Sequence, residues 1–391
     1  MNDDADLFMS ADEAAATLGV SLTTLYAYVS RKGIRSEKMP GSKSRRYWRV
    51  DVEKARSRGG QGTPLSGGLI RTTALTLLTS SGIYYRGVSA VALSETATLE
   101  ETAGLLWNAP EAFDGPALIL PEGYQAASQA FRSLPRVARA IPLLTLIEQA
   151  NPRAHDLSAA GYARSGAAVI RCFAAIVGDA EGPTSKPIHQ VLAQALGLAE
   201  GYDDLIRRLL VLAADHELDP TTYAVRAAAN TGVTPYGAAV AGLVAARGRR
   251  LHQGRAEHVS RFVDEVLNDD PQEAVLVRFR GGEPVPGFGH YVHADRDPRA
   301  EALVAALERC APAEVVSRLK TAIGLTEDLL GQHANFILPA MVTGRLLGLK
   351  GEEMAVAAVG RMVGWIANAL EQYQGDELFR PRATYAGTLP R

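Results

Sequence analysis

Three histidines sit among residues able to act on an anionic, carbonyl-bearing substrate. In AADHELDP, His216 lies between Asp215 and Glu217. Acidic neighbours favour a charged imidazole that donates two hydrogen bonds to an anion. A helix-end histidine satisfied by a backbone carbonyl fits the same spacing. In RGRRLHQGRAEH, His252 follows Arg249 and Arg250 and precedes Gln253-Gly254, where a helix can break. A histidine at a helix N-terminus stays neutral more easily and can donate to a developing oxyanion; a solvated basic turn is the plainer alternative. In VPGFGHYVHADRDPR, Gly287 and Gly289 let the backbone come close to a ligand, Phe288 offers a ring face and His290 follows directly. Arg299 stands behind Asp297-Pro298, and arginine grips carboxylates through a forked pair of bonds. Gly-aromatic-Gly alone is weak; joined to His and DPR it becomes a strong signature.

The rest of the chain must position these groups. Its 391 residues suggest two or three domains, and a 47% hydrophobic share supports a large core. With 41 basic and 43 acidic residues the formal charge is -2, which argues against a polyanion binder over the whole length while leaving room for a local basic patch. Cys172 and Cys310 form neither a disulfide framework nor a zinc pattern, and they fit a reducing, cytoplasmic setting. MNDDADLF reads as no signal peptide, no apolar run suggests a membrane span, and no metal set is found. Abundant alanine and scarce alternation predict an all-α protein.

Residues 1–57 read as a first unit. Ser10 and Glu13 form a capping box, Gly19 to Ser21 a tight turn, and Leu22 to Ser30 a second helix. Pro40-Gly41 and Arg45 to Val50 read as a wing. Arg31, Lys32, Lys43, Arg45 and Arg46 are the candidate contacts to DNA phosphates, alongside Arg35 and Arg49. Residues 58–68, rich in Gly and Ser, read as a linker. ALTLLTSSGIYYRG reads as a β-hairpin. Amphipathic helices then run to about residue 374, broken near Pro121, Pro152, Pro183, Pro220 and the 282–289 loop.

With these motifs in hand, residues 69–391 resemble the citrate synthase family, of a type II-like kind. IYYRGVSAVALSETATLEETAGLLW, AADHEL, LHQG, PGFGHYVHADRDPR, VGRMVGWIANALEQ and RPRATYAG follow the family's order of motifs. The resemblance implies a helical homodimer of large and small domains, here 69–250 with 351–391 and 251–350 respectively. It implies condensation of acetyl-CoA, or a short acyl-CoA, with oxaloacetate, as in the tricarboxylic acid cycle, with CoA as co-substrate and no tightly bound cofactor. By motif position, His216, His290, Arg299 and Arg361 hold the oxo-acid, and Arg380 reaches the partner's site. His290 also polarises the ketone, His252 stabilises the enol, and Val285, Pro286, Gly287, Phe288 and Gly289 wrap the adenine end of CoA. Donors aimed at developing charge are what such chemistry needs, and domain closure would exclude water.

One position departs from the family pattern. Its catalytic carboxylate falls here on Asn335, in QHANF, and an amide cannot take a proton from the acyl carbon; losing a general base costs about 10²–10⁴ in rate. Asp328 and His333 are the replacement candidates. Gln253-Gly254-Arg255 also departs, with Arg255 either a cation near the ligand or a solvated side chain. The front unit resembles the winged helix-turn-helix domains of MerR-type and excisionase-type proteins. Two functions therefore compete: an acyltransferase, and a catalytically impaired homologue that senses a metabolite and regulates through DNA. Lyase or thioesterase action at the same site is a third.

Overall fold

The computed structural model describes residues 8–32, 34–39, 44–49, 51–52, 55, 72–80, 82–249, 253–289 and 296–375. The chain separates into a front unit within residues 1–72 and a main unit holding almost all the rest.

In the front unit, β1 (Phe8–Met9) leads into α1 (Ala11–Leu18) and α2 (Leu22–Lys32), then β2 (Ser36–Lys38) and β3 (Arg45–Trp48). The strands pair antiparallel in the order β1-β3-β2. The Ser10 hydroxyl accepts from the Glu13 N–H while the Glu13 carboxylate accepts from the Ser10 N–H, the reciprocal cap expected from the sequence. Gly19, at φ 65°, ends α1 in a left-handed turn that a side chain would strain. Strand β1 has no counterpart in the sequence pattern, because two residues are too short to show alternation. Met9, Ala14, Leu25, Ile34, Tyr47 and Val52 form this unit's own core. Lys43 and the side chains of Arg31 and Lys32 lie outside the described residues. Arg46 ion-pairs with Glu37 at 2.5 Å and lies over the Phe8 ring. Arg45 donates to Ser36 at 3.1 Å, and Arg35 pairs with Asp51 at 2.9 Å. The charges of Arg46 and Arg35 are thus answered within the unit.

The main unit opens with the expected hairpin, β4 (Thr76–Leu78) against β5 (Ile83–Tyr85), and adds a short third strand, β6 (Val88–Ser89). Helices follow: α3 (Ala90–Thr96), α4 (Leu99–Trp107), α5 (Tyr124–Ala130), α6 (Arg136–Ala150), α7 (Ala159–Gly178), α8 (Ile188–Ala195) and α9 (Tyr202–Leu212). Next come α10 (Pro220–Ala229), α11 (Pro235–Ala246), α12 (Gln253–Asn268), α13 (Pro271–Gly281), α14 (Pro298–Cys310), α15 (Ala313–Leu330), α16 (Ile337–Leu346) and α17 (Ala355–Gln374). Proline marks helix starts more often than breaks. Pro220, Pro235, Pro271 and Pro298 each occupy the first turn, where a missing N–H costs nothing. Helix α7 is long and apolar enough to cross a membrane, but 83% of that stretch is buried inside the protein, as befits a core helix.

Helix α17 is the spine, packing against α4, α7, α9, α10 and α11. Small residues make the approach possible. A Cβ at Gly360 would stand 2.3 Å from the Leu210 carbonyl oxygen of α9. At Gly364 it would stand 2.2 Å from the Asp215 carboxylate and 2.3 Å from the Ala214 carbonyl, to which the Gly364 N–H donates at 2.9 Å. The end of α9, carrying the DHE stretch, is thereby pressed onto α17, carrying Arg361. Gly360→Ala is expected to destabilise the protein by about 1–3 kcal/mol through overpacking. Gly324→Ala, on a face of α15 where a Cβ meets nothing within 4 Å, should stabilise it by about 0.4–1 kcal/mol. Denaturant unfolding of the two variants checks this; a Gly360→Ala protein as stable as its parent would show that α9 and α17 are not so closely apposed.

Candidate active site

Asp215 organises the region. It is 1% exposed, and its carboxylate accepts from Thr76 Oγ1 at 2.5 Å, the Glu217 N–H at 3.1 Å, Asn368 Nδ2 at 3.3 Å and Arg361 Nη1 at 2.5 Å. Arg361 Nη2 reaches Asp219 at 2.9 Å and also donates to Thr222. Burial works against a charged Arg361, but Asp219 and Asp215 outweigh it and raise its pKa, so the guanidinium stays charged. The other oxygen of Asp219 caps α10, accepting from the N–H groups of Thr221 and Thr222 at 2.8 Å each.

His216 follows Asp215 at the end of α9 and is half-buried. The next residue, Glu217, has φ 55°, a left-handed backbone that costs a side-chain-bearing residue about 1–2 kcal/mol. Its N–H bond to Asp215 holds that turn and so fixes how the chain leaves His216. Such strain is found where side-chain direction matters.

The Asp297-Pro298 pair repeats the design of Asp219-Pro220. Asp297 is 2% exposed and caps α14. It holds Arg299 in a two-pronged ion pair, Nε at 3.0 Å and Nη2 at 2.8 Å, and accepts from the Phe336 N–H at 3.1 Å. The Arg299 guanidinium lies 4.7 Å over the Phe336 ring. Tyr85, from the YYRG segment, is fully buried at the end of α9. Its hydroxyl contacts the carbonyls of Val211, Leu212 and Asp215. Burial pushes that phenol up to about 12, against the hydrogen bond at Asp215 and the nearby positive charge, which favour the ionised form.

The Gly-Phe-Gly loop is stitched to the segment bearing Asn335. Phe288 and Ala334 form an antiparallel bridge. The Gly289 N–H donates to the His333 carbonyl, and the Asn335 N–H to the Gly287 carbonyl, each at 2.9 Å. Gly287 has φ 87°, and a Cβ there would fall 2.9 Å from the Leu338 side chain. Val285 is buried, and Phe288 sets its ring edge-on to Phe262 at 6.2 Å. Asn335 is engaged at both ends of its amide: Nδ2 donates to the Gly289 carbonyl at 3.1 Å, and Oδ1 accepts from the Ile337 N–H at 3.1 Å. His333 Nδ1 lies 2.8 Å from Glu327. Asp328, the other replacement base considered, points outward on α15 and is exposed.

His252, His290 and Arg380 lie outside the described residues; α12 does begin immediately after His252, at Gln253. Tyr85, Asp219, Asp297 and Glu327 belong to the site without having been singled out from sequence. The signal for the two capping aspartates was present, since Asp-Pro is the signature of an N-cap followed by proline at N1. Cys172 is buried, which pushes its thiol up to about 12, and the Cys310 thiol is raised for the same reason, so neither is poised as a nucleophile.

These pairings can be probed one at a time. Arg361→Met leaves Asp215 buried without its cation, and unfolding should show a loss of about 3–5 kcal/mol; a loss below about 1 kcal/mol would mean the pair is dispensable. Asn335→Asp turns a donor facing the Gly289 carbonyl into an acceptor. The variant should lose about 1–3 kcal/mol at neutral pH. Its new carboxyl should titrate above the ordinary range, because the protonated form alone can donate to that carbonyl, so the deficit shrinks on acidification. A deficit that is flat with pH would contradict the bridge.

Residues 65–382 match the family model described as citrate synthase, C-terminal domain. The chain is 33% identical over 197 residues to a citrate synthase of Haloferax volcanii, an alignment covering 49% of this chain and about half (51%) of that protein. It is 26% identical to citrate synthase 2 of Bacillus subtilis, over 83% of this chain and 95% of that one. A citrate synthase from Thermoplasma acidophilum, solved as a ternary complex with carboxymethyl coenzyme A and oxaloacetate, superposes with a TM-score of 0.66 at 22% identity, over 86% of this chain and 97% of that one.

Proposed function

The chain belongs to the citrate synthase family, and we propose that it condenses acetyl-CoA or another short acyl-CoA with oxaloacetate, giving citrate or a homologue and free CoA. The observation that carries this reading is a pair of arginines anchored on aspartates, Arg299 on buried Asp297 and Arg361 on buried Asp215 together with Asp219, in a chain that matches the family over residues 65–382. A dicarboxylate with a ketone between its charges needs two fixed cations and nearby donors. Arg299 Nη1 and Arg361 Nε engage no acceptor among the described residues, so each guanidinium keeps a prong for a ligand. The loop Val285–Gly289 would take the CoA, and His290 and His252 would act on the two carbonyl oxygens. In this reading residues 69–250 and 351–391 make the large domain, 251–350 the small one, and the enzyme works in the cytoplasm.

A homodimer is part of the proposal, with Arg380 crossing to the partner's site. Gly237, Val240, Ala241 and Val244 lie along one stripe of α11, and Val244 is 55% exposed. A surface of small apolar groups at that spacing suits a second copy of the same helix.

The regulator reading rests on the front unit, where two helices joined by a tight turn are followed by a hairpin. It ranks second because the charges of Arg35 and Arg46 are met by Asp51 and Glu37. The deciding experiment is steady-state release of CoA from acetyl-CoA or propionyl-CoA with oxaloacetate, with a gel shift on DNA run in parallel. Turnover that requires both substrates is expected. Absence of turnover with every short acyl-CoA and oxo-acid, together with salt-sensitive DNA binding, would reverse the ranking.

A further inference from the structure

The condensation proposed above needs a group that removes a proton from the acyl carbon, and Asn335 cannot serve. Its amide is also committed on both sides, to the Gly289 carbonyl and to the Ile337 N–H. The bridge between Phe288 and Ala334 supplies an alternative. Side chains alternate along an extended segment, so His333 and Asn335 project from the same side and Ala334 from the other. The His333 backbone is fastened to Gly289 by a 2.9 Å hydrogen bond, so the residue is tied directly to the signature loop. Its imidazole is half-buried and held through Nδ1 by Glu327 at 2.8 Å. Glu327 in turn meets Arg296 at 3.4 Å, and Arg296 meets Glu301 at 3.3 Å. Glu327, Arg296 and Glu301 thus form a chain of charge contacts that ends on the imidazole.

A ring nitrogen bonded to a carboxylate, with the opposite nitrogen turned away from it, is the arrangement of an oriented general base. We propose that His333, oriented by Glu327, takes the acyl-carbon proton in place of the residue at 335. The inference rests on the condensation reading. With Nδ1–H donating to Glu327, the Nε2 lone pair accepts the proton from the carbon next to the thioester carbonyl. The electrons of the broken C–H bond become the C=C bond of the enol, and the carbonyl oxygen takes the charge. The enolate carbon then bonds to the ketone carbon of the oxo-acid as the thioester C=O re-forms, and the resulting alkoxide takes a proton from solvent. Water cleaves the resulting thioester, releasing CoA, and the imidazolium returns its proton to solvent.

Moving the base by two residues also reassigns Asn335, which becomes a positioning residue that clamps the two loops together. The same change explains why the amide is tolerated at a position where the resemblance leads one to expect a carboxylate.

The test uses the full chain and two readouts, CoA release and the exchange of acetyl-CoA methyl protons into D₂O with oxaloacetate present. His333→Gln should lower both by about 10²–10⁴-fold, with the KM for oxaloacetate little changed. Glu327→Gln keeps a hydrogen bond but removes the charge that favours the imidazolium. It should move the acid limb of the kcat profile to lower pH, an effect that structural damage would not produce. Asp328→Asn, exposed on α15, should leave both readouts unchanged. Turnover that survives in His333→Gln, or an acid limb unmoved in Glu327→Gln, overturns the base assignment while the condensation stands. A parent protein that neither exchanges protons nor releases CoA overturns both.

Discussion

The buried pairing of Asp215 with Arg361 is the constraint around which the main unit is arranged. Two opposite charges in a dry interior attract strongly but cost much to desolvate, and the balance is favourable only when their remaining hydrogen-bonding capacity is met. Here it is met from several directions. The hairpin sends Thr76, the turn after α9 sends the Glu217 N–H, α10 sends Thr222 through its capped end, and α17 sends Asn368 as well as Arg361 itself. Elements far apart in sequence are tied to one ion pair. Gly364 is small because that carboxylate and the Ala214 carbonyl occupy the space a side chain would need, and Gly360 because the Leu210 backbone does.

The same logic explains why Arg299 and Arg361 are both bound to aspartates. An unpaired guanidinium in such surroundings would oppose folding. Asp297 and Asp219 hold the cations at fixed positions and leave one prong of each without a described partner. Each guanidinium is thereby fixed in place by the fold itself.

Much of this was legible in the sequence, for reasons that can be stated residue by residue. The capping box at Ser10 and Glu13, the hairpin around Ile83 and the helical run that follows depend on local rules, and local rules can be read from neighbours. The family motifs pointed to His216, Arg299, Arg361 and Asn335; the structure holds Arg361 on Asp215 and Asp219 and Arg299 on Asp297. What could not be read was tertiary. The contact between Gly289 and His333 joins two segments far apart in the chain, and nothing in either announces the other. Tyr85 looked like a strand residue and is one, but its hydroxyl works at the end of α9. Asp219 and Asp297 were visible as helix caps; that each also clamps an arginine depends on packing alone.

The double duty of those two aspartates has a further consequence. The carboxylate that steadies the first turn of α10 also steadies Arg361, and the one that steadies α14 also steadies Arg299. Loss of either carboxylate therefore loosens a helix entrance and a guanidinium together.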